Sequence, residues 1–215
     1  MMACSHYLTE SEVVYSRLNL LHRKVTGKVL LYFFRSGYKN RRPNESLSEY
    51  YRRKGLKEKL VRKFEKDLTS HQKSPFYLHP DGTNFDVALL YKCLRFHCEG
   101  LADQHDDSRW NDEECVHVEA WITRVKDMRN HIVHDEETIF TANELENESQ
   151  QLQDLLIRIL KKCGELYNIS ADDIKKEINA VVNDIARYKY HFFYYTIPAA
   201  KFSSLGPPLP PKKKK

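Results

Sequence analysis

Apolar residues recur every three or four positions through most of the chain, and this spacing limits the possible folds more than any other feature. In residues 85–99 they lie on nearly every face of a predicted helix, so that helix should be buried on most sides. The chain has only 7 Gly and 8 Pro, too few for the frequent turns of an all-β fold. We therefore predict an all-α bundle of five to six helices.

Spacing and capping signals place the individual helices. The first begins at a capping box formed by Thr9 and Glu12, and the third follows Asn84, a residue that favours helix caps. Residues 70–82 contain two Pro and an Asp-Gly pair and are predicted to be a loop, and residues 100–114 are predicted to be an acidic loop. The predicted helices cover about 9–35, 47–68, 85–99, 115–134, 141–167 and 171–194.

These helices predict one domain over residues 9–197, with a core at about 13–165 and an additional C-terminal helix at about 171–194. Residues 198–215 contain five of the eight Pro and end in four Lys. Such a segment has too little apolar surface to build a core, so we predict an extended, disordered tail. The lysine run is a nuclear localisation signal, a phosphate-binding arm or simply the end of a linker.

The N-terminus has no secretory signal, and none of the five Cys forms a CxxC pair. The longest apolar run, residues 29–34, is far shorter than the roughly 20 residues that cross a bilayer. We expect reduced thiols, no membrane partner and a cytoplasmic location, or a nuclear one directed by the lysine run.

Charge is divided unevenly along the chain. Residues 17–63 contain 15 Lys and Arg and 3 acidic residues, whereas residues 99–154 contain 4 Lys and Arg and 16 acidic residues. A basic surface on the first two predicted helices would attract a phosphate backbone. The alternative is that the basic helices face the acidic segment of the same molecule. The candidate RNA-binding residues are Arg52, Arg53, Lys57 and Arg62.

The motif that indicates chemistry is Arg129-Asn130-x-x-x-His134, at the end of the fourth predicted helix. Asn130 and His134 share a helix face, whereas Arg129 lies about 140° from His134 and converges with it only across a symmetric dimer. At a phosphodiester, Arg holds the phosphate and His transfers protons at the ribose 2′-oxygen and the leaving 5′-oxygen, with no metal. The alternative is that both residues cap helix carbonyls.

Several other short motifs precede this one in the chain. Arg17-Leu18 opens the first helix, the third helix carries Phe-Asp-x-x-Leu-Leu-x-x-x-Leu-Arg (85–95), and Trp110 precedes Arg124-Val125-x-x-x-Arg129-Asn130. Over residues 13–165 this order resembles the HEPN family. It is most similar to the animal branch found in the DAZ-interacting zinc-finger ubiquitin ligase and in NTPase-containing innate-immunity proteins. The chain departs from that branch at Val133, where a Gly is usual, and has one residue fewer before His134.

The resemblance implies an all-α domain that binds or cleaves RNA, with Arg129 and His134 as catalytic residues and Asn130 as their polar orienter. It also implies a homodimer and no cofactor. Asp86 is a supporting candidate, expected inside the third helix in a salt bridge with Arg129 or Arg95.

Two functional hypotheses follow from the resemblance. The first is a metal-independent endoribonuclease that acts as a dimer. The second is a catalytically inactive dimerisation or adaptor module of an innate-immune sensor or ubiquitin ligase. In a longer protein, the second hypothesis predicts a ligase or NTPase domain after residue 215.

A zinc site is a third interpretation. His131 and His134 form an HxxH pair, Cys115 and His117 lie upstream, and further His and Cys residues lie near position 100. No spacing among them matches a known zinc-binding pattern, so we expect no metal.

Overall fold

A computed structural model describes residues 9–134 and 141–190, except for the side chains of His134 and Tyr190. All regular structure within these ranges is helical, which confirms the predicted all-α fold class. None of the described helices combines the length and apolar character needed to span a bilayer. The predicted tail, residues 198–215, lies outside the described residues.

The helices follow one another through short connections, and one π-helical turn interrupts the first long helix. In chain order they are α1 (Glu10–Leu21), the π turn (His22–Thr26), α2 (Gly27–Gly37), α3 (Leu47–Arg53), α4 (Glu58–Lys66), α5 (Ser70–Leu78), α6 (Val87–Phe96), α7 (Asp107–Trp110), α8 (Val118–His134), α9 (Ala142–Tyr167) and α10 (Ala171–Tyr190).

The first predicted helix is continuous through α1, the π turn and α2. Its capping box is confirmed, because Thr9 Oγ1 accepts from Glu12 N at 3.2 Å and Glu12 Oε2 accepts from Thr9 N at 2.6 Å. The π turn widens the helix and changes which faces point inward after Leu21. At the end of α2, Gly37 leaves no room for a side chain, since a Cβ there would clash with Cys98 Sγ and Tyr167 Oη.

Two predictions in residues 47–82 are wrong. The single helix predicted over 47–68 is broken between α3 and α4, where Gly55 adopts a left-handed φ of +89°. The loop predicted over 70–82 contains the helix α5. Gln72 Oε1 accepts from Thr69 N at 3.3 Å at its start, and Phe76 is buried in the core despite the neighbouring Pro75.

The third predicted helix is α6, which lies in the interior between α2 and α8, so its predicted burial is confirmed. Its end joins an aromatic cluster in which Phe96 stacks on Phe64 at 4.2 Å and meets Tyr51 edge-on at 4.9 Å. This cluster connects α3 and α4 to the rest of the bundle. One hydrophobic core contains residues from α1 through α10, so the C-terminal helix belongs to the same core.

The predicted acidic loop contains the short helix α7, whose Trp110 is buried and donates from Nε1 to Asp103 O at 3.0 Å. A carboxylate that the sequence did not single out holds this loop against α8. Glu119 is fully buried; its Oε1 accepts from Ala102 N at 2.8 Å and its Oε2 from Arg109 Nη2 at 3.1 Å. The loop is therefore an ordered support for the start of α8.

Candidate functional site

Arg129 lies near the C-terminal end of α8 and is half-buried. Its Nη1 donates to Asn130 Oδ1 at 3.1 Å, so the predicted polar orienter contacts the guanidinium. In the described ranges no carboxylate forms an ion pair with Arg129, whereas the nearby Lys126 pairs with Asp127. A half-buried guanidinium held by a neutral amide retains its capacity to bind an anion.

His134 is the last residue of α8, and its side chain lies outside the described residues. The helix is continuous from Arg129 to His134, so their Cα–Cβ directions diverge by about 140° within one molecule.

His22 is a further candidate site residue, which sequence analysis did not identify. It lies on the π turn, which packs against α8, and only 1% of its surface is exposed. Burial, together with the smaller effect of the positive charge of Arg129, lowers the pKa of His22 to about 4. His22 is therefore neutral at pH 7 and leaves the charge of Arg129 uncompensated.

Neither ring nitrogen of His22 has a hydrogen-bond partner within the described residues. The hydroxyl of Thr26, at the other end of the π turn, and that of Ser149 on α9 are also buried without such a partner. Unpaired buried polar groups are uncommon, and π turns occur frequently at functional sites. No sequence signal announces a π turn, because its apolar spacing resembles that of an ordinary helix.

Arg17 is the first residue in the series of motifs that resembles the HEPN family, and its contacts indicate a structural role. It is almost fully buried in α1, and its Nη1 donates to Lys189 O at 3.2 Å near the end of α10. Cationic side chains stabilise the carbonyl groups at helix C-termini. Burial lowers the pKa of Arg17.

The predicted salt bridge of Asp86 with Arg129 or Arg95 is wrong. Asp86 is the exposed N-cap of α6, where its Oδ1 accepts from Leu89 N at 2.7 Å. Arg95 instead pairs with Asp107 at 3.0 Å and lies over the Trp110 ring. The prediction placed the helix start at Phe85, two residues too early, and so assigned Asp86 to the helix interior.

Replacing Asp86 with Ala should lower the free energy of unfolding by about 1 kcal/mol, since the first turn of α6 loses its cap. Urea denaturation followed by circular dichroism measures this change. Asp86→Asn keeps a capping oxygen and should remain within about 0.5 kcal/mol of the unmodified chain. An equal loss in both variants would show that the carboxylate charge, rather than the cap, is what stabilises α6.

Three of the four candidate RNA-binding residues form ion pairs with acidic neighbours. Arg52 and Arg62 both pair with Glu58, and Arg53 binds Glu45 through two nitrogens, at 2.6 and 2.7 Å. Lys57 is exposed at the N-cap of α4 and forms no ion pair with another described residue. The structure thus distinguishes Lys57 from the three arginines, whose charges are partly compensated.

The alternative that the basic and acidic segments face each other has limited support. Among the ion pairs between described residues, Lys54–Glu99 joins residues 17–63 to residues 99–154. Lys28 and Arg35 instead pair with Asp184 and Asp81, which lie outside the acidic segment. Sequence analysis also missed three exposed lysines on α4, namely Lys59, Lys63 and Lys66.

No cluster of three or more His, Cys, Asp or Glu side chains suited to a metal ion occurs in the described part of the chain. The four described Cys are free thiols. Comparison of the chain with protein-family models, curated proteins and solved structures finds no match in any of the three.

Proposed function

We propose that this chain is an RNA-binding domain of the HEPN type that cleaves RNA without a metal, acting as a dimer. The observation that carries the proposal is Arg129, a half-buried guanidinium hydrogen-bonded to Asn130 and paired with no described carboxylate. The planar guanidinium group can donate two parallel hydrogen bonds to a phosphate, which suits arginine to the recognition of nucleic acids. The neutral His22 beside it supports the proposal, because it leaves the positive charge available for a phosphate.

In the proposed reaction, Arg129 binds the scissile phosphate and neutralises the charge that develops on it. His134 of the second copy removes the proton from the ribose 2′-OH, whose oxygen then bonds to phosphorus. The bond from phosphorus to the 5′-oxygen breaks, and that oxygen takes a proton from water. The products are a 2′,3′-cyclic phosphate and a 5′-hydroxyl. His22 is too deeply buried to transfer these protons.

The dimer in this proposal follows from the geometry of α8. Arg129 and His134 diverge by about 140° on one continuous helix, so two antiparallel copies of α8 are needed to bring an Arg and a His to the same phosphate. Sedimentation equilibrium at tens of micromolar should give twice the chain mass of 25.5 kDa. A chain that stays monomeric at that concentration contradicts this part of the proposal.

Cleavage of labelled single-stranded RNA by the purified chain in the presence of a chelator tests the chemistry. Arg129→Ala and His134→Ala should each lower the rate on the order of 10²-fold, the usual effect of losing an acid–base or charge-stabilising group. A 2′-deoxy substitution at the cut site should block cleavage, because the attacking oxygen is then absent. Products are checked for a cyclic phosphate.

Two control variants match these substitutions. Arg158→Ala removes an exposed arginine from α9, and His131→Ala removes the histidine one turn before His134 on the same helix. Both should retain cleavage within about 2-fold, since surface changes outside a site have small effects. Loss of activity in His131→Ala together with sensitivity to chelator would instead favour the zinc interpretation.

The inactive dimerisation or adaptor module remains the alternative. It predicts that the purified chain dimerises but cuts no RNA, and that His134→Ala changes only stability or dimer affinity. That combination of results would replace the endoribonuclease hypothesis with the adaptor hypothesis.

A further inference from the structure

The outward face of α4 carries four basic side chains, which we name the α4 ridge: Lys59, Arg62, Lys63 and Lys66. All four are exposed, and on an α-helix they fall within an arc of about 100°. The opposite face is anchored by Val61 and Phe64, which are buried in the core. Because α4 is fixed by these contacts, the ridge presents its charges at defined positions.

The charges of the α4 ridge are only partly compensated. Arg62 pairs with Glu58 at 2.6 Å, and Glu58 also pairs with Arg52. The three lysines form no ion pair within the described ranges, although Lys162 and Lys176 elsewhere in the chain do. At the three lysines, an anionic ligand would therefore replace water rather than an internal carboxylate.

An exposed aromatic ring lies on α5, the helix that follows α4 in the chain. Tyr77 on α5 is 48% exposed, an unusual degree for a large aromatic residue. Its ring meets that of Phe76 at 5.2 Å with an interplanar angle of 76°. Phe76 is buried and lies 5.7 Å from Phe64, so a series of core rings supports Tyr77 from below.

Tyr77 lies near α4, because Phe76, which contacts its ring, also contacts Phe64 of α4. Burial raises the pKa of Tyr77; the Glu65 carboxylate on α4 raises it further, and the Arg52 guanidinium on α3 opposes this effect. Leu78, the next residue, is 68% exposed, so apolar surface adjoins the ring.

The combination of basic side chains with a braced, exposed aromatic ring matches the chemistry of single-stranded nucleic acid. Lysine and arginine bind successive phosphates, and an aromatic ring stacks on an unpaired base. A duplex hides its base faces in the stack, and an acidic peptide has no base, so neither uses both features. A membrane surface uses charge and apolar side chains but gains nothing specific from a stacking ring.

We propose that the α4 ridge and Tyr77 form a binding site for single-stranded RNA, in which the ridge holds phosphates and Tyr77 stacks on a base. This inference rests on the RNA-linked function proposed above and adds the surface that holds the substrate. Of the four residues that the sequence suggested for this role, only Arg62 belongs to the ridge.

Fluorescence anisotropy of the full chain with a labelled oligouridine of about 20 nucleotides tests the ridge. The triple variant Lys59→Gln, Lys63→Gln, Lys66→Gln should raise the Kd at least 10-fold and reduce the slope of log K against log salt by about 2. The control triple Arg158→Gln, Lys161→Gln, Lys175→Gln removes the same charge from exposed positions on α9 and α10. It should change the Kd by less than about 3-fold.

Tyr77 is tested in the same assay. Tyr77→Ala should raise the Kd about 5-fold or more, whereas Tyr77→Phe should bind like the unmodified chain because the stacking face remains. Equal weakening by both triple variants, or no effect of Tyr77→Ala, overturns the proposed site. Ridge-dependent binding to phosphatidylserine vesicles, without ridge-dependent binding to oligouridine, also overturns it in favour of a membrane surface.

Failure of this inference is distinguishable from failure of the proposed function. If the ridge variants keep the original Kd while Arg129→Ala and His134→Ala abolish cleavage, the proposed function holds and the α4 ridge is not its binding surface. If the unmodified chain binds no RNA, both proposals are wrong.

Discussion

Replacing Glu119 with Ala is expected to lower the free energy of unfolding by about 3–5 kcal/mol. The carboxylate is fully buried and joins Ala102 N–H and the Arg109 guanidinium to the first turn of α8. Its removal leaves a buried donor and a partly buried cation without their acceptor. Removing one partner of a buried ion pair in this way costs more than replacing both partners with apolar residues. Chemical denaturation at pH 7 measures the loss.

Two further variants separate the causes of this effect. Glu119→Gln keeps an oxygen for Ala102 N–H but removes the charge, so its loss should be smaller than that of Glu119→Ala. Glu114→Ala removes an exposed carboxylate from the same loop and should change stability by no more than about 0.5 kcal/mol. Similar stability of Glu119→Ala and Glu114→Ala would mean that the buried carboxylate does not support the loop.

Acidification from pH 7 to pH 4 is expected to remove about 3 kcal/mol of stability through His22 alone. Its pKa is about 4 in the folded chain and near 6.5 when unfolded, so the unfolded state binds more protons in this range. The stability is fully present above about pH 6.5 and decreases as pH falls through this window. The physical cause is that a protonated His22 would be a charge buried away from water, close to the half-buried Arg129 cation.

The His22→Leu variant isolates this contribution. Leucine has a similar volume and no titratable group, and replacing an unpartnered buried polar group with an apolar one costs little at neutral pH. The variant should therefore lose the steepest part of the stability decrease between pH 6.5 and 4. Burial also lowers the pKa of His97, so a residual decrease should remain. An unchanged pH profile would show that His22 does not titrate as a buried group.

Much of the helical framework was predictable from local sequence. The Thr9–Glu12 capping box begins α1 as predicted, and Ser170 Oγ accepts from Asp173 N at 3.1 Å at the start of α10. Both interactions join residues three positions apart, so the sequence contains all the information they need. The burial of α6 was also predictable from local sequence, because a helix that is apolar on all sides has no polar face to expose to water.

Errors arose where a local signal competed with packing. Prolines in residues 70–82 indicated a loop, yet Phe76 is buried among other aromatic rings and α5 forms around it. Asp86 resembled a buried acid only because the start of α6 was placed two residues too early. At α5 the energy of distant contacts outweighed the propensity of single residues. The Asp86 error was local, because its cap joins residues three positions apart.

The candidate site also contains some residues that the sequence indicated and others that only the structure showed. Sequence alone indicated Arg129, Asn130 and His134, and it determined that Arg129 and His134 diverge on one helix, since helix geometry follows from spacing. Only the tertiary structure showed His22 beside Arg129 and Glu119 beneath the loop that precedes α8. His22 and Arg129 are more than a hundred residues apart, and their proximity depends on how the π turn packs against α8. Helix-capping hydrogen bonds and helix faces are local properties, whereas the pKa of a buried group depends on everything packed around it.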